Sequence, residues 1–71
     1  MAVRLKVKEI AERKGISMGK LSRMSDVSFN TIRRIFADPY YSITTHTLEK
    51  IAKALGVTTS QLLEDEPNEP A

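Results

Sequence analysis

Asn30 and Arg34 are the residues whose types and spacing point most directly to chemistry. They stand four apart within Val27-Ser28-Phe29-Asn30-Thr31-Ile32-Arg33-Arg34-Ile35-Phe36, and on a helix turning about 100° per residue that spacing places them on one side. With Ile32 as the reference, Phe29, Ile35 and Phe36 fall close to it and make an apolar stripe. Asn30 and Arg34 fall almost opposite, between Arg33 and Ala37 on one flank and Thr31 on the other. A carboxamide can exchange a pair of hydrogen bonds with the edge of adenine, and a guanidinium with the edge of guanine. Phe29 is divided between two uses: its angle allows core packing, while its place at the start of the helix would let the ring meet a thymine methyl.

Other chemistries lack their parts. The 71 residues include no Cys and a single His, His46, too few ligands for a metal site, and no Gly-rich phosphate loop. Glu64, Asp65, Glu66 and Glu69, four of the nine carboxylates, crowd the last eight positions, a segment unsuited to fixed catalytic geometry. No enzyme activity, cofactor or small-molecule ligand is expected. His46 stands near a helix start, and Met18 and Met24 read as packing or helix-surface filling. No apolar run approaches the roughly 18 residues of a membrane span, and the N-terminus lacks a signal peptide's hydrophobic region. The chain reads as soluble and cytoplasmic.

The net charge of +2, from 11 Lys and Arg against 9 Asp and Glu, hides an uneven distribution. Residues 1 to 34 hold nine basic residues (Arg4, Lys6, Lys8, Arg13, Lys14, Lys20, Arg23, Arg33, Arg34) against three acidic ones, a net +6; residues 35 to 63 are neutral and the last eight carry −4. A basic half fits a polyanion, with nucleic acid ahead of an anionic membrane. Arg4, Lys6 and Lys8 suit a general electrostatic contribution rather than named contacts.

Short helices must position Asn30 and Arg34. An apolar residue, a Ser or Thr, three further residues and a second apolar residue occur four times, at Ile16-Ser17 to Leu21, Val27-Ser28 to Ile32, Ile43-Thr44 to Leu48 and Val57-Thr58 to Leu62. The hydroxyl can accept from an orphan N–H of a first helical turn while the apolar pair packs across the cap, so four helix starts are predicted from hydroxyl and staple alone, without a capping box. An earlier helix is marked by Val7, Ile10 and Ala11, with Gly15 ending it after the basic Arg13 and Lys14. The second helix runs from Ser17 to near Ser25-Asp26, and the third from Ser28 to Asp38-Pro39, where Pro stops it. The fourth buries Leu48, Ile51, Ala52 and Leu55 and closes at Gly56; the fifth carries Leu62 and Leu63. These elements make an all-α, five-helix domain over residues 1 to 63, followed by an acidic, Pro-containing tail over 64 to 71 that is expected to be disordered. Ahead of the first helix, Val3, Leu5 and Val7 alternate with Arg4, Lys6 and Lys8, the period of a strand. A strand there would need the C-terminal segment or a second copy as its partner; a frayed terminus fits the same pattern.

A short helix, a tight turn and a second helix with one polar face form a helix-turn-helix, whose second helix lies in the DNA major groove with its first turn reaching deepest. Asn30 is in that turn, and Lys20 and Arg23 lie on the helix that crosses the backbone. The chain resembles the Cro and phage-repressor (XRE) type of helix-turn-helix protein, the lambda-repressor-like fold, over about residues 5 to 63. The segments that carry the resemblance are Lys8-Glu9-Ile10-Ala11-Glu12-Arg13-Lys14-Gly15-Ile16-Ser17, Val27-Ser28-Phe29-Asn30-Thr31-Ile32, Thr47-Leu48-Glu49-Lys50-Ile51-Ala52-Lys53-Ala54-Leu55-Gly56-Val57 and Gln61-Leu62-Leu63.

The resemblance implies five helices with the helix-turn-helix at the second and third, double-stranded DNA as partner, a homodimer on a pseudo-palindromic operator, and transcriptional regulation, repression foremost. Carried over residue by residue, base contacts fall on Ser28, Phe29, Asn30, Thr31 and Arg34, and phosphate contacts on Ser17, Lys20, Arg23, Arg33, Tyr40, Tyr41 and Thr44. Three positions depart from the family pattern. Met18 replaces the Gln common after the cap of the second helix, and Asp26 replaces the usual turn Gly. The loop Pro39-Tyr40-Tyr41-Ser42-Ile43-Thr44-Thr45 lacks the common Lys or Arg, leaving hydroxyls and the start of the fourth helix to meet phosphate. The N-terminal alternation resembles small members that have an extra terminal strand. Two other functions suit the same fold: a protein-interaction module such as an antitoxin or phage adaptor, and a chromatin-type binder with no sequence preference.

Overall fold

The computed structural model describes residues 2–66. Strand β1 (Ala2–Leu5) leads into helix α1 (Val7–Arg13). Helices α2 (Met18–Ser25), α3 (Phe29–Ala37) and α4 (Thr45–Leu55) follow, and a 3₁₀ turn (Ser60–Leu62) precedes strand β2 (Leu63–Glu66).

Three helices start at the hydroxyls expected to start them. Ser17 Oγ accepts from the Lys20 N–H at 3.2 Å, Ser28 Oγ from the Thr31 N–H at 3.2 Å, and Thr44 Oγ1 from the Thr47 N–H at 3.1 Å. Each bond satisfies a donor that has no partner within its own helix. Helix α1 has no side-chain cap, and its entry is held instead by the Lys6 N–H donating to the Leu62 carbonyl at 2.7 Å. Gly15 and Gly56 end α1 and α4 in the left-handed region, at φ 71 and φ 73. At the end of α2 the same conformation falls on Asp26, φ 60, whose short polar side chain tolerates it better than a branched one. Asp38 is extended, as the residue before a Pro must be, and α3 stops at Ala37.

The expected fifth helix does not form, although its start does. Thr58 Oγ1 accepts from the Gln61 N–H at 3.2 Å while Gln61 Oε1 accepts from the Thr58 N–H at 2.9 Å. This is a reciprocal capping box, which corrects the expectation that none of the four starts has one: Gln61 stands three residues after Thr58 in the sequence. Only the 3₁₀ turn follows before the chain extends at Leu63. Strand β2 then pairs antiparallel with β1 in the register Ala2↔Glu66, Val3↔Asp65, Arg4↔Glu64 and Leu5↔Leu63. A further helical turn would have left the polar backbone groups of β1 without these partners. The fold is therefore helical with a two-stranded sheet rather than all-α, and the C-terminal segment is the partner of the N-terminal strand. The boundary expected after residue 63 falls inside β2, so residues 64 to 66 are strand and not disordered tail; the remaining tail residues lie outside those described.

Across the sheet Arg4 Nη1 meets Glu64 Oε1 at 3.2 Å and also pairs with Glu9 on α1. Partial burial works to raise the Glu9 carboxyl, but its own backbone hydrogen bond and the Arg4 guanidinium outweigh that and hold it below its ordinary value.

The core is built from Val7, Ile10 and Ala11 of α1, Leu21 of α2, Ile32 and Ile35 of α3, and Leu48, Ile51, Ala52 and Leu55 of α4, with Leu5 and Leu62 closing the sheet end. Two serine hydroxyls of α2 are spent on backbone carbonyls, one reaching the turn before α3 and one within α2 itself. Ser22 Oγ donates to the Val27 carbonyl at 2.6 Å, across the turn, and the buried Ser25 donates to the Leu21 carbonyl at 2.6 Å.

Candidate nucleic-acid interface

Helix α3 has the rotational phase expected of it. Ile32 and Ile35 are buried, Phe36 is half-buried against the core, and Asn30, Arg33 and Arg34 are exposed. Phe29 joins the outer side: it is 47% exposed, so its ring is displayed at the first turn of α3 rather than spent on the core. Asn30 Oδ1 accepts from Arg33 Nη2 at 3.3 Å, linking two neighbours on the outer face. Arg34 lies with its guanidinium carbon 6.0 Å from the centre of the Tyr41 ring, within the range of a cation–π contact.

Ser28 and Thr31 have a different standing from the other three expected base readers. Ser28 Oγ already accepts from the Thr31 N–H, and the two hydroxyls share a further hydrogen bond at 2.9 Å. Both are engaged in starting α3. Of the five side chains expected to read bases, Phe29, Asn30 and Arg34 are the ones not spent on starting the helix, although Asn30 accepts from Arg33 and Arg34 lies against Tyr41.

The flanks collect positive charge. Ser17, Lys20 and Arg23 are exposed on α2, and Met18 is half-buried against the core, which keeps it from acting as the polar brace that Gln would provide. Arg23 folds back along α2, with Nη1 3.7 Å from where a Cβ on Gly19 would stand, bringing its charge towards the start of that helix. Lys8 and Arg33 line an open cleft with Ser17 and Met18, of about 520 Å³. Two cations thus border the first turn of α2, whose dipole favours an anion, while the Glu12 carboxylate on the same cleft opposes one. The spacing within α1 gave Lys8 no more than a general electrostatic part, because its nearness to Arg33 arises only when α1 packs beside α3.

The loop after α3 is held at several points. The Pro39 carbonyl accepts from the Leu5 N–H at 2.7 Å, the Asp38 carbonyl from the Tyr41 N–H at 3.0 Å, and Asp38 Oδ1 from the Tyr40 N–H at 3.0 Å. Tyr40 is exposed and Tyr41 half-buried. Thr44 caps α4 and its hydroxyl donates to Thr47 Oγ1 at 3.0 Å, so a phosphate there would have to compete with an existing bond. His46 is exposed in the first turn of α4. Among the described residues no cluster of His, Cys, Asp or Glu could hold a metal ion, and no helix is long and apolar enough to cross a membrane.

A helix-turn-helix family model matches residues 7–62. No curated protein matches the chain. The matched span runs from α1 through the 3₁₀ turn, and both strands lie outside it. With the capped α2, the Asp26 turn and the outward face of α3 all inside that span, the chain belongs to the Cro and phage-repressor (XRE) type of helix-turn-helix family.

Proposed function

We propose that this chain is a sequence-specific regulator of transcription that binds double-stranded DNA with α3 in the major groove, acting foremost as a repressor. The observation that carries this reading is the exposure of Phe29, Asn30 and Arg34 together on α3 while Ile32 and Ile35 anchor its other side. Asn30 would take adenine, Arg34 guanine, and the Phe29 ring a thymine methyl. Ser28 and Thr31 would meet bases only by giving up their mutual bond. Ser17, Lys20, Arg23 and Arg33 would grip the flanking phosphates, with Tyr40 and Thr44 at the edge of the contact. Repression follows from occupancy: a domain seated on a duplex excludes whatever else must bind there.

A homodimer on a pseudo-palindromic site belongs to the same reading. Val3, Tyr40 and Leu63 are exposed apolar residues bordering a groove of about 270 Å³ between the sheet and the loop after α3. This groove is the surface on which a second copy would seat in this reading.

Selection of bound duplexes from a random pool tests the proposal. The expected result is an enriched sequence with two related half-sites about 34–36 Å apart between centres. A pool that stays featureless at low salt would overturn sequence-specific reading. Equal affinity for every duplex would then indicate a chromatin-type binder, and no DNA binding together with a co-purified protein an interaction module.

A further inference from the structure

We infer that Tyr41 is a positioning residue for Arg34, its ring fixing the direction from which the guanidinium approaches the base that it reads. The inference rests on the reading of Arg34 as a base contact. Arg34 is exposed near the end of α3, and a long side chain there has many rotamers to lose on docking. Tyr41 limits them. Its ring lies 6.0 Å from the guanidinium carbon, and the ring is itself held still. It is half-buried against the core, its N–H donates to the Asp38 carbonyl, and the Pro39 carbonyl two residues earlier is tied to Leu5 of β1. The guanidinium therefore rests on a platform fixed to the sheet and to the end of α3.

The sequence alone makes Tyr41 a phosphate contact through its hydroxyl. The geometry gives the work to the ring instead, and the two roles differ in what a substitution would change. A hydroxyl on phosphate acts on every sequence alike, whereas a ring beneath Arg34 acts on one base pair. Phe keeps the ring and removes the hydroxyl; Leu keeps apolar bulk and removes both.

The test measures base-resolved affinity on the duplex enriched from the random pool, using the parent, Tyr41→Phe, Tyr41→Leu, Arg34→Ala and Arg34→Ala with Tyr41→Leu. Arg34→Ala first identifies the base pair that Arg34 reads. Tyr41→Phe is expected to match the parent. Tyr41→Leu is expected to lose roughly two- to fivefold in discrimination at that base pair, the size of an exposed cation–π contact, and at no other. In the Arg34→Ala background the Leu substitution should add nothing. A loss with Tyr41→Phe would assign the role to the hydroxyl and overturn the inference, whether or not the Leu variant folds. An equal loss on all duplexes, repeated in the Arg34→Ala background, would also overturn it by showing a structural or phosphate role. If Arg34→Ala leaves discrimination intact at every base pair while Asn30→Ala does not, the Arg34 contact fails and this inference with it, but the major-groove reading stands.

Discussion

Arg33 and Arg34 are adjacent and both exposed, yet their partners separate them: Arg33 turns towards Asn30 and the cleft beside α2, while Arg34 turns to Tyr41. That division follows from the helical phase, which was legible in the sequence because Ile32, Ile35 and Phe36 mark the buried side. The contact between Arg34 and Tyr41 was not legible. Asp38 and Pro39 break the helix between the two residues, and no periodicity crosses that break. Nor could residue types alone show that the Ser28 and Thr31 hydroxyls would bond to each other. The cations proposed to meet phosphate should behave differently from the residues proposed to read bases. Lys20→Ala and Arg23→Ala are each expected to weaken binding to all duplexes alike and to reduce the salt slope by about one, as read from affinities over a range of salt concentrations.

Among the elements, the helix starts were the most legible, because a cap is local: Ser17, Ser28 and Thr44 each act on an N–H three residues on. Ser28→Ala should therefore cost about 1 kcal/mol in chemical unfolding, and it removes the Thr31 contact as well. The turn between α2 and α3 holds Asp26 in left-handed geometry. Asp26→Gly is expected to raise stability by up to about 1 kcal/mol, seen as a higher unfolding midpoint, since Gly adopts that region without steric cost. The fifth helix was misread for a physical reason. Its start signal is genuine, but a start signal does not set length, and the two leucines after it serve different surroundings: Leu62 is fully buried and Leu63 is 37% exposed. That contrast fits an extended chain leaving the core, and it depends on β1 being there to pair with.

At the scale of the whole molecule, the sheet changes what the acidic end does. Glu64 answers Arg4 across the strands, and Glu9 answers it from α1, while among the described residues Lys20, Arg23, Arg33 and Arg34 take part in no such ion pair. The charge asymmetry was readable from the sequence; its pairing depended on a contact between residues sixty apart. Because Glu9 is held below its ordinary value, its contribution to stability is present above the usual carboxylate range and is lost as pH falls through the lowered value. Arg4→Gln should accordingly lose stability most at neutral pH and approach the parent in strong acid, as followed by denaturant unfolding at a series of pH values. Positive charge left unpaired around α2 and α3 serves the central claim, that Asn30 reads a base from the first turn of α3. The most direct test is the affinity of Asn30→Ala for the enriched duplex and its single-base-pair variants. The account predicts a loss of about 1–3 kcal/mol in discrimination at one base pair of each half-site, with nonspecific affinity unchanged. An Asn30→Ala protein that ranks every duplex as the parent does would contradict it.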